Sequence, residues 1–365
     1  MKVGIITFHA AHNYGSMLQA YALQQVVTSL GHDCRIINLR TPRQKKFYSP
    51  FYLKGGLRSK IKAIAYPAVA VNDWRKSRLF EKFLRTHLLL TPTEYSSSEQ
   101  LRHASLDFDI VISGSDQIWN TCCFDHEPAY FLDFCNDAKR VAYAPSMGPD
   151  PENQVEPRLY PMLAAHLRRY DAIAVREQRT ASIVSRILAD GTTPPTVLDP
   201  TLLLPTSHWS HLAGDTPIIS GDYIFVYTPW LHQQLYAKAE SIAQRTGMTV
   251  ICSSYHFYHQ WHRRPHFRFY TAVGPIEFLN LFKFSRFVVC GSFHAVAFAI
   301  LFGKPFYVLD GMADGRIAPL LSDLSIKHCA SLSDDLFSSS ALDFNASALD
   351  AKRVDSLEFI SKALA

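Results

Sequence analysis

Residues 1–39 read MKVGIITFHAAHNYGSMLQAYALQQVVTSLGHDCRIINL. An apolar run at 3–8 leads into the turn-like His12-Asn13-Tyr14-Gly15. Leu18, Tyr21, Ala22, Gln25 and Val26 then fall at helical spacing until Gly31 ends the segment. Residues 34–39 are apolar again, so the order is strand, loop, helix, strand. A right-handed crossover makes the two strands neighbours in a parallel sheet, and this stretch therefore decides for an α/β protein.

Working outward, the alternation continues. Residues 58–90 have a helical pattern. Short apolar runs at 108–113, 138–144 and 172–175 read as strands, and 196–198 closes this half at Asp199-Pro200. The segment 206–222, rich in His, Pro, Gly and Ser, breaks the periodicity. A second set then begins, with strands at 223–227, 248–253, 287–290 and 305–309 and helices at 232–246 and 295–301; a terminal helix follows at 349–364. The reading is two Rossmann-like domains facing a cleft, each a parallel sheet flanked by helices, with 1–205 as one domain, 206–345 as the other and 346–365 packing back on the first.

Composition narrows the function classes. The chain has 365 residues, 48% hydrophobic and 19% charged, enough for two cores. The N-terminal apolar run is too short for a signal peptide, and no apolar window approaches the roughly eighteen residues of a membrane span. The seven cysteines form no CxxC pair, which argues against a disulfide framework or a zinc site and fits a reducing cytoplasm. The net charge of +5 is uneven, since residues 40–62 hold eight Lys or Arg and no acid, interleaved with Phe47, Tyr48, Phe51 and Tyr52. Such a stretch suits a peripheral contact with an anionic membrane surface as well as it suits a solvated loop. No feature points to nucleic acid.

Four turns lie just beyond predicted strands, where open α/β sheets place ligands. They are His12-Asn13-Tyr14-Gly15-Ser16, Gly114-Ser115-Asp116-Gln117, Val175-Arg176-Glu177 and Gly291-Ser292-Phe293-His294. The last opens a helix, whose free N–H groups would favour a phosphate beside Ser292 and His294; Ser292 as a plain N-cap is the alternative. GxGxxG after the first strand, GxxxxGK[ST], GxSxG and HExxH are all missing, which weakens nicotinamide, P-loop, hydrolase and zincin readings. The loop YHFYHQWHRRPH at 255–266 spaces its histidines poorly for a metal and reads instead as an aromatic, basic acceptor-binding loop; no metal ligand is assigned.

In order along the chain, ITFHAAHNYGSMLQAYALQ, FDIVISGSDQIWN, YFLDF, RVAYAPSMG, AVREQRTASIV, TVLDPTLLL, the run at 274–309 and GRIAPLL resemble the polysaccharide pyruvyl transferase family across residues 3–324. The resemblance implies a fold like that of the GT-B glycosyltransferases, with an acceptor side in the first domain and a donor side in the second. It implies a cytoplasmic enzyme of bacterial surface-polysaccharide biosynthesis (capsule or exopolysaccharide) that moves the enolpyruvyl-derived group of phosphoenolpyruvate onto two hydroxyls of a sugar, often lipid-linked, as a cyclic ketal. No cofactor is implied; phosphoenolpyruvate is a co-substrate.

Carried over residue by residue, Arg176, Ser292, Phe293, His294 and Arg316 fall on the donor side, and His12, Asn13, Tyr14, Gly15, Ser115, Asp116 and Trp119 on the acceptor side. Arg suits a donor bearing a carboxylate and a phosphate because its guanidinium binds both bidentately. His294 is the candidate for proton transfer because an imidazole titrates near neutrality. The sequence departs from the family in two places. Many members carry Asn-x-Gly-Asp in the first loop where this chain has Ser16, which leaves Asp116 to supply the catalytic carboxylate. Ser292 also stands where one branch has Arg. Two further readings stay open: a nucleotide-sugar glycosyltransferase with Glu277 on the ribose, and a non-catalytic glycan-binding relative.

Overall fold

The computed structural model describes residues 1–49, 67–229, 232–254, 261–309, 314–326 and 341–365. Among them the chain forms two compact units. The first comprises Met1–Tyr48, Leu84–Leu204 and Ser347–Ala365; the second comprises Ser49–Phe83 and Pro205–Ala346.

The sheet of the first unit holds β1 (Lys2–Ile6), β2 (Asp33–Ile36), β3 (Ile110–Ser113), β4 (Lys139–Tyr143) and β5 (Ala172–Ala174) in the order β2-β1-β3-β4-β5. All pairings are parallel. Val3, Ile5, Ile6 and Ile110 to Ile112 are buried, as strands covered on both faces must be. Helix α1 (Tyr14–Ser29) crosses from β1 to β2, α2 (Pro42–Tyr48) follows β2, α4 (Tyr160–Leu167) precedes β5, and α5 (Gln178–Leu188) succeeds it. Because β1 connects to β2 on one side and borders β3 on the other, the loops after β1 and β3 diverge and leave a crevice at the carboxyl ends of the strands.

The second unit repeats the plan. Strands β6 (Tyr223–Tyr227), β7 (Thr249–Cys252), β8 (Phe267–Phe269), β9 (Phe287–Cys290) and β10 (Phe306–Val308) lie in the order β10-β9-β6-β7-β8, again all parallel. Helices α6 (Gln233–Thr246), α7 (Pro275–Phe284), α8 (Phe293–Leu301) and α9 (Ile317–Asp323) surround the sheet. Its crevice falls between the loops after β6 and β9.

Three expectations, on α3 and on residues 206–222 and 196–198, differ from the structure. Helix α3 (Pro67–His87), expected in the first domain, gives most of its length to the second unit, where Asn72 Nδ2 donates to Thr271 Oγ1 at 3.4 Å. The expected break at 206–222 opens with a helix, Thr206–Ala213, because Trp209 is buried with its ring edge-to-face against Phe298 at 5.1 Å. Residues 196–198 make a single bridge, Val175 to Thr196, rather than a strand. The helix α10 (Ala346–Leu364) belongs to the first unit, where Ser356 Oγ accepts from Leu198 N at 3.0 Å and Ile360 and Leu364 are buried. Residues 50–66 of the basic stretch, and 255–260 of the aromatic loop, lie outside the described residues. No described helix is long and apolar enough to cross a membrane.

Candidate functional site

In the first unit the crevice is built from backbone turns held by a buried polar network. Asn13 caps α1, its side chain accepting from Gly15 N at 3.0 Å and Ser16 N at 3.4 Å. Ser16 Oγ, one turn into the helix, donates to Asp116 Oδ2 at 2.5 Å, and Asp116 Oδ1 accepts from Gln117 N at 2.9 Å. Asp116 thus sets a carboxylate against the side chain at position 16, from the loop after β3. Asp116 sits at φ 77°, ψ −177°, a backbone region that is essentially glycine's and costs of order 1–3 kcal/mol for any other residue. The strain is sustained on both sides: Ser146 N donates to Asp116 O at 2.8 Å, and Gly114 packs so closely that a Cβ there would lie 3.1 Å from both Leu23 Cδ2 and Thr7 Cβ.

Behind the turn, Ser115 Oγ donates to Asp199 Oδ2 at 3.0 Å, and Asp199 Oδ1 accepts from Thr201 N and Oγ1. Arg176 Nη1 donates to Asp199 Oδ2 at 3.1 Å and Arg176 Nε to Glu177 Oε2 at 3.2 Å; the Arg176 side chain is 2% exposed. Burial works against its charge, but Glu177 and Asp199, with Asp116 beyond them, outweigh that and hold its pKa above the usual guanidinium value. Arg176, expected on the donor, is therefore enclosed by two carboxylates, and its positive charge is committed to holding the Ser115–Asp199 side of the turn.

Trp119 is also placed differently from expectation. It is 0% exposed, donates its indole N–H to Ser113 Oγ at 3.1 Å and Tyr130 O at 3.2 Å, and stacks on Phe131 with ring centroids 5.4 Å apart. A ring buried on this scale supports the turn from behind and offers no face to a sugar. Tyr14 and Gly15 are buried in the first turn of α1, while His12 and Asn13 are half-buried beside it.

His9 was not singled out by the sequence, where nothing sets it apart from other histidines. It is buried at the end of the β1 loop, with Nδ1 at 3.2 Å from Thr7 O and Nε2 at 3.2 Å from Asn38 Oδ1. Burial, only partly offset by these two contacts, lowers its pKa to about 4. A histidine depressed in the folded state stabilises it fully above the unfolded value, and the contribution is lost as the pH falls towards 4. With an unfolded value near 6.5 this is worth about 3 kcal/mol. Urea unfolding between pH 7 and pH 4 is expected to show this loss, and His9→Gln to flatten that part of the curve; an unchanged acid limb in the variant would refute the assignment.

In the second unit, Ser292 caps α8, accepting from Ala295 N at 3.3 Å, and the first turn of that helix carries no acid. Its N–H groups face the end of the crevice between β6 and β9. Gly291 lets the backbone approach: a Cβ there would stand 3.0 Å from Leu235 Cδ1, 3.4 Å from Thr228 Oγ1 and 3.7 Å from His232 Cδ2. Thr228 and His232 thus lie beside Gly291, the residue before the Ser292 cap, and only the position of Thr228, one residue past a predicted strand, hinted at this in the sequence. His294 is half-buried, and Phe293 is buried beside it with ring centroids 5.3 Å apart.

Arg316, expected on the donor, forms a two-pronged pair with Asp314: Nε to Oδ1 at 3.0 Å and Nη2 to Oδ2 at 2.7 Å. Its charge is compensated locally. Glu277, the carboxylate considered for a ribose, accepts from Gly274 N, the N-cap of its own helix α7, at 3.0 Å, the half of a capping box that a glycine N-cap allows.

Comparison with solved structures shows the fold. The Methanocaldococcus jannaschii UDP-GlcNAc 2-epimerase in complex with UDP-GlcNAc and UDP matches with TM-score 0.54 and 12% identity, over 97% of this chain and 99% of that one. A putative UDP-N-acetylglucosamine 2-epimerase from Listeria monocytogenes gives TM-score 0.54 and 12% identity over 99% and 91%. An alpha-glucosyltransferase in complex with UDP and a 13-mer DNA gives 0.51 and 11% over 99% and 94%. At these identities the likeness carries only the fold, which is that of the GT-B glycosyltransferases and related epimerases. No curated protein matches the sequence significantly. The model of one family, described as polysaccharide pyruvyl transferase, matches residues 13–311, and with most of its length inside that match the chain belongs to the polysaccharide pyruvyl transferase family and is a transferase.

Proposed function

We propose that this transferase moves the pyruvyl group of phosphoenolpyruvate onto two hydroxyls of one sugar, as a cyclic ketal on a lipid-linked intermediate of bacterial surface-polysaccharide biosynthesis. The observation that carries the reading is the strained Asp116 carboxylate gripped by Ser16 at the crevice of the first unit. The resemblance implies an acid in the first loop of many members, and the contact of Asp116 with Ser16 supports giving that role to Asp116 here.

The chemistry follows from the donor. Protonation at the methylene carbon gives an oxocarbenium at the neighbouring carbon, which a sugar hydroxyl attacks while losing its proton. The carbon–oxygen bond to phosphate then breaks, phosphate leaves, and the second hydroxyl closes the ring with loss of its own proton. Asp116 is assigned as the base for the attacking hydroxyl and His294 as the proton donor. The N-terminus of α8, with Ser292, Thr228 and His232 around it, is assigned to the departing phosphate. Arg176 enters as a positioning residue, through Asp199 and Ser115. The reading puts catalysis in the cytoplasm, where the basic composition of residues 40–62 suits anionic, lipid-bound acceptors. Its described part is already partly neutralised, since Lys45 pairs with Glu94.

The test is phosphate release from phosphoenolpyruvate by the purified protein with a panel of simple and lipid-linked glycosides. Asp116→Asn and His294→Ala are each expected to lower kcat by about 10²–10⁴-fold with unfolding midpoints kept within a few degrees. Release that does not depend on any acceptor, or that both variants retain, would overturn the reading.

A further inference from the structure

Beside the crevice of the first unit lies a group of side chains that the reaction above does not use. Phe47 and Tyr48, at the end of α2, meet Phe124 from the loop after β3: the Phe47 and Phe124 rings are 4.0 Å apart and the Tyr48 and Phe124 rings 6.0 Å. Tyr48 in turn lies 5.5 Å from the His12 ring, next to the Asn13 cap. All four rings are half-buried. The chain of rings runs from Phe124 to the loop that holds Ser16 against Asp116.

The neighbour of Phe124 is a carboxylate. Asp125 is 7% exposed, and its Oδ2 accepts from Gln44 Nε2 at the long distance of 3.4 Å. The charged and titratable groups around it are Arg43, from α2, and Asp116, at the start of the same loop after β3; Tyr130 follows further along that loop. The Arg43 guanidinium is directed to the Phe124 ring, 5.8 Å from its centroid. Burial first, with the charge of Asp116 adding to it, raises the Asp125 pKa to about 6 against the smaller opposing effects of Gln44 and Arg43. The carboxylate is thus held where folding alone disfavours it. Groups kept at such a cost cluster at binding and catalytic sites.

A half-buried aromatic cluster beside one desolvated carboxylate and one amide is a combination that suits a pyranose. The rings cover its C–H face, and Asp125 and Gln44 take two neighbouring hydroxyls, orienting them towards Asp116. We propose that Asp125, Gln44, Phe47, Tyr48 and Phe124 form the subsite that binds the acceptor sugar. The assignment rests on the first unit being the acceptor side, as in the reading above, and adds the residues that select the sugar.

The test separates the two. Binding of methyl β-galactopyranoside and of methyl N-acetylmannosaminide is measured by saturation-transfer NMR and titration calorimetry without phosphoenolpyruvate, on the wild type, Asp125→Asn and Phe124→Leu. Asp125→Asn keeps size and removes the buried charge, so its fold is retained; Phe124→Leu is a second, apolar check. Each variant is expected to weaken glycoside binding at least tenfold and, in the phosphate-release assay, to raise the acceptor KM by a similar factor with kcat within about twofold, unlike Asp116→Asn, which lowers kcat. Glycoside affinity kept at the wild-type level in both variants, or no glycoside binding by the wild type, overturns the subsite. Wild-type binding that depends on Asp125 without any phosphate release upholds the subsite and overturns the pyruvyl-transfer reading instead.

Discussion

Replacing Arg176 with alanine is expected to lower the free energy of unfolding by about 3–5 kcal/mol, more than most single substitutions cost. The reason is what stays behind. Asp199 has a side-chain exposure of 0% and Glu177 of 3%, and without the guanidinium both carboxylates would stay buried after losing its charge. The hydroxyls of Ser115, Thr201 and Thr180 would still donate to them, but a neutral donor does not offset a desolvated charge. Arg176→Lys should fall between, because one ammonium cannot reach along two directions as the planar guanidinium does. Urea unfolding followed by far-UV circular dichroism decides the matter: a midpoint shifted at constant slope is the expected result, and a loss under about 1 kcal/mol would mean that the pair is relaxed by water. The result bears on function, because an inactive Arg176→Ala protein would speak for a donor contact only if it remained folded.

Trp119→Ala is expected to cost about 3–5 kcal/mol by loss of a large buried ring and the cavity left behind. Trp119 stacks on Phe131, meets Tyr170 edge-to-face at 5.7 Å, and holds Ser113 Oγ and Tyr130 O through its indole N–H. Trp119→Phe keeps most of the apolar contact and gives up the N–H, so a loss of about 1–2 kcal/mol is expected. Thermal unfolding of the two variants beside the acceptor KM discriminates between a core residue and a sugar platform. A platform would show a raised KM with the melting temperature unchanged, and that outcome would contradict the buried placement.

Comparing these two residues shows how much of the site could be read in advance. Both stand just past a strand in polar company, the signature of a ligand loop, and sequence position cannot tell a side chain aimed at the crevice from one aimed behind it. Arg316 was misplaced for a related reason: Asp314 stands two residues away, but only the backbone turn brings its carboxylate onto both guanidinium nitrogens. Asp116 was legible as a carboxylate in a loop past a strand, though not as one at φ 77° whose side chain meets Ser16. His9 and Asp125 carried no local signal, since burial is what sets them apart.

The sequence by itself determined the α/β class, the strands of both sheets save β8, and the family, because buried parallel strands are short apolar runs bounded by turns and need no distant information. Ser292 was likewise open to a local rule, as a residue that caps the helix it precedes. The tertiary structure alone decided which charges face a ligand and which face one another. Arg176 meets Asp199 across 23 positions and Ser16 meets Asp116 across 100, and Gln44 reaches Asp125 across 81. Whether a charge is free to bind depends on the partner that folding brings within hydrogen-bonding distance, and that distance is a property of the packed sheet and its loops rather than of any neighbouring residues in the chain.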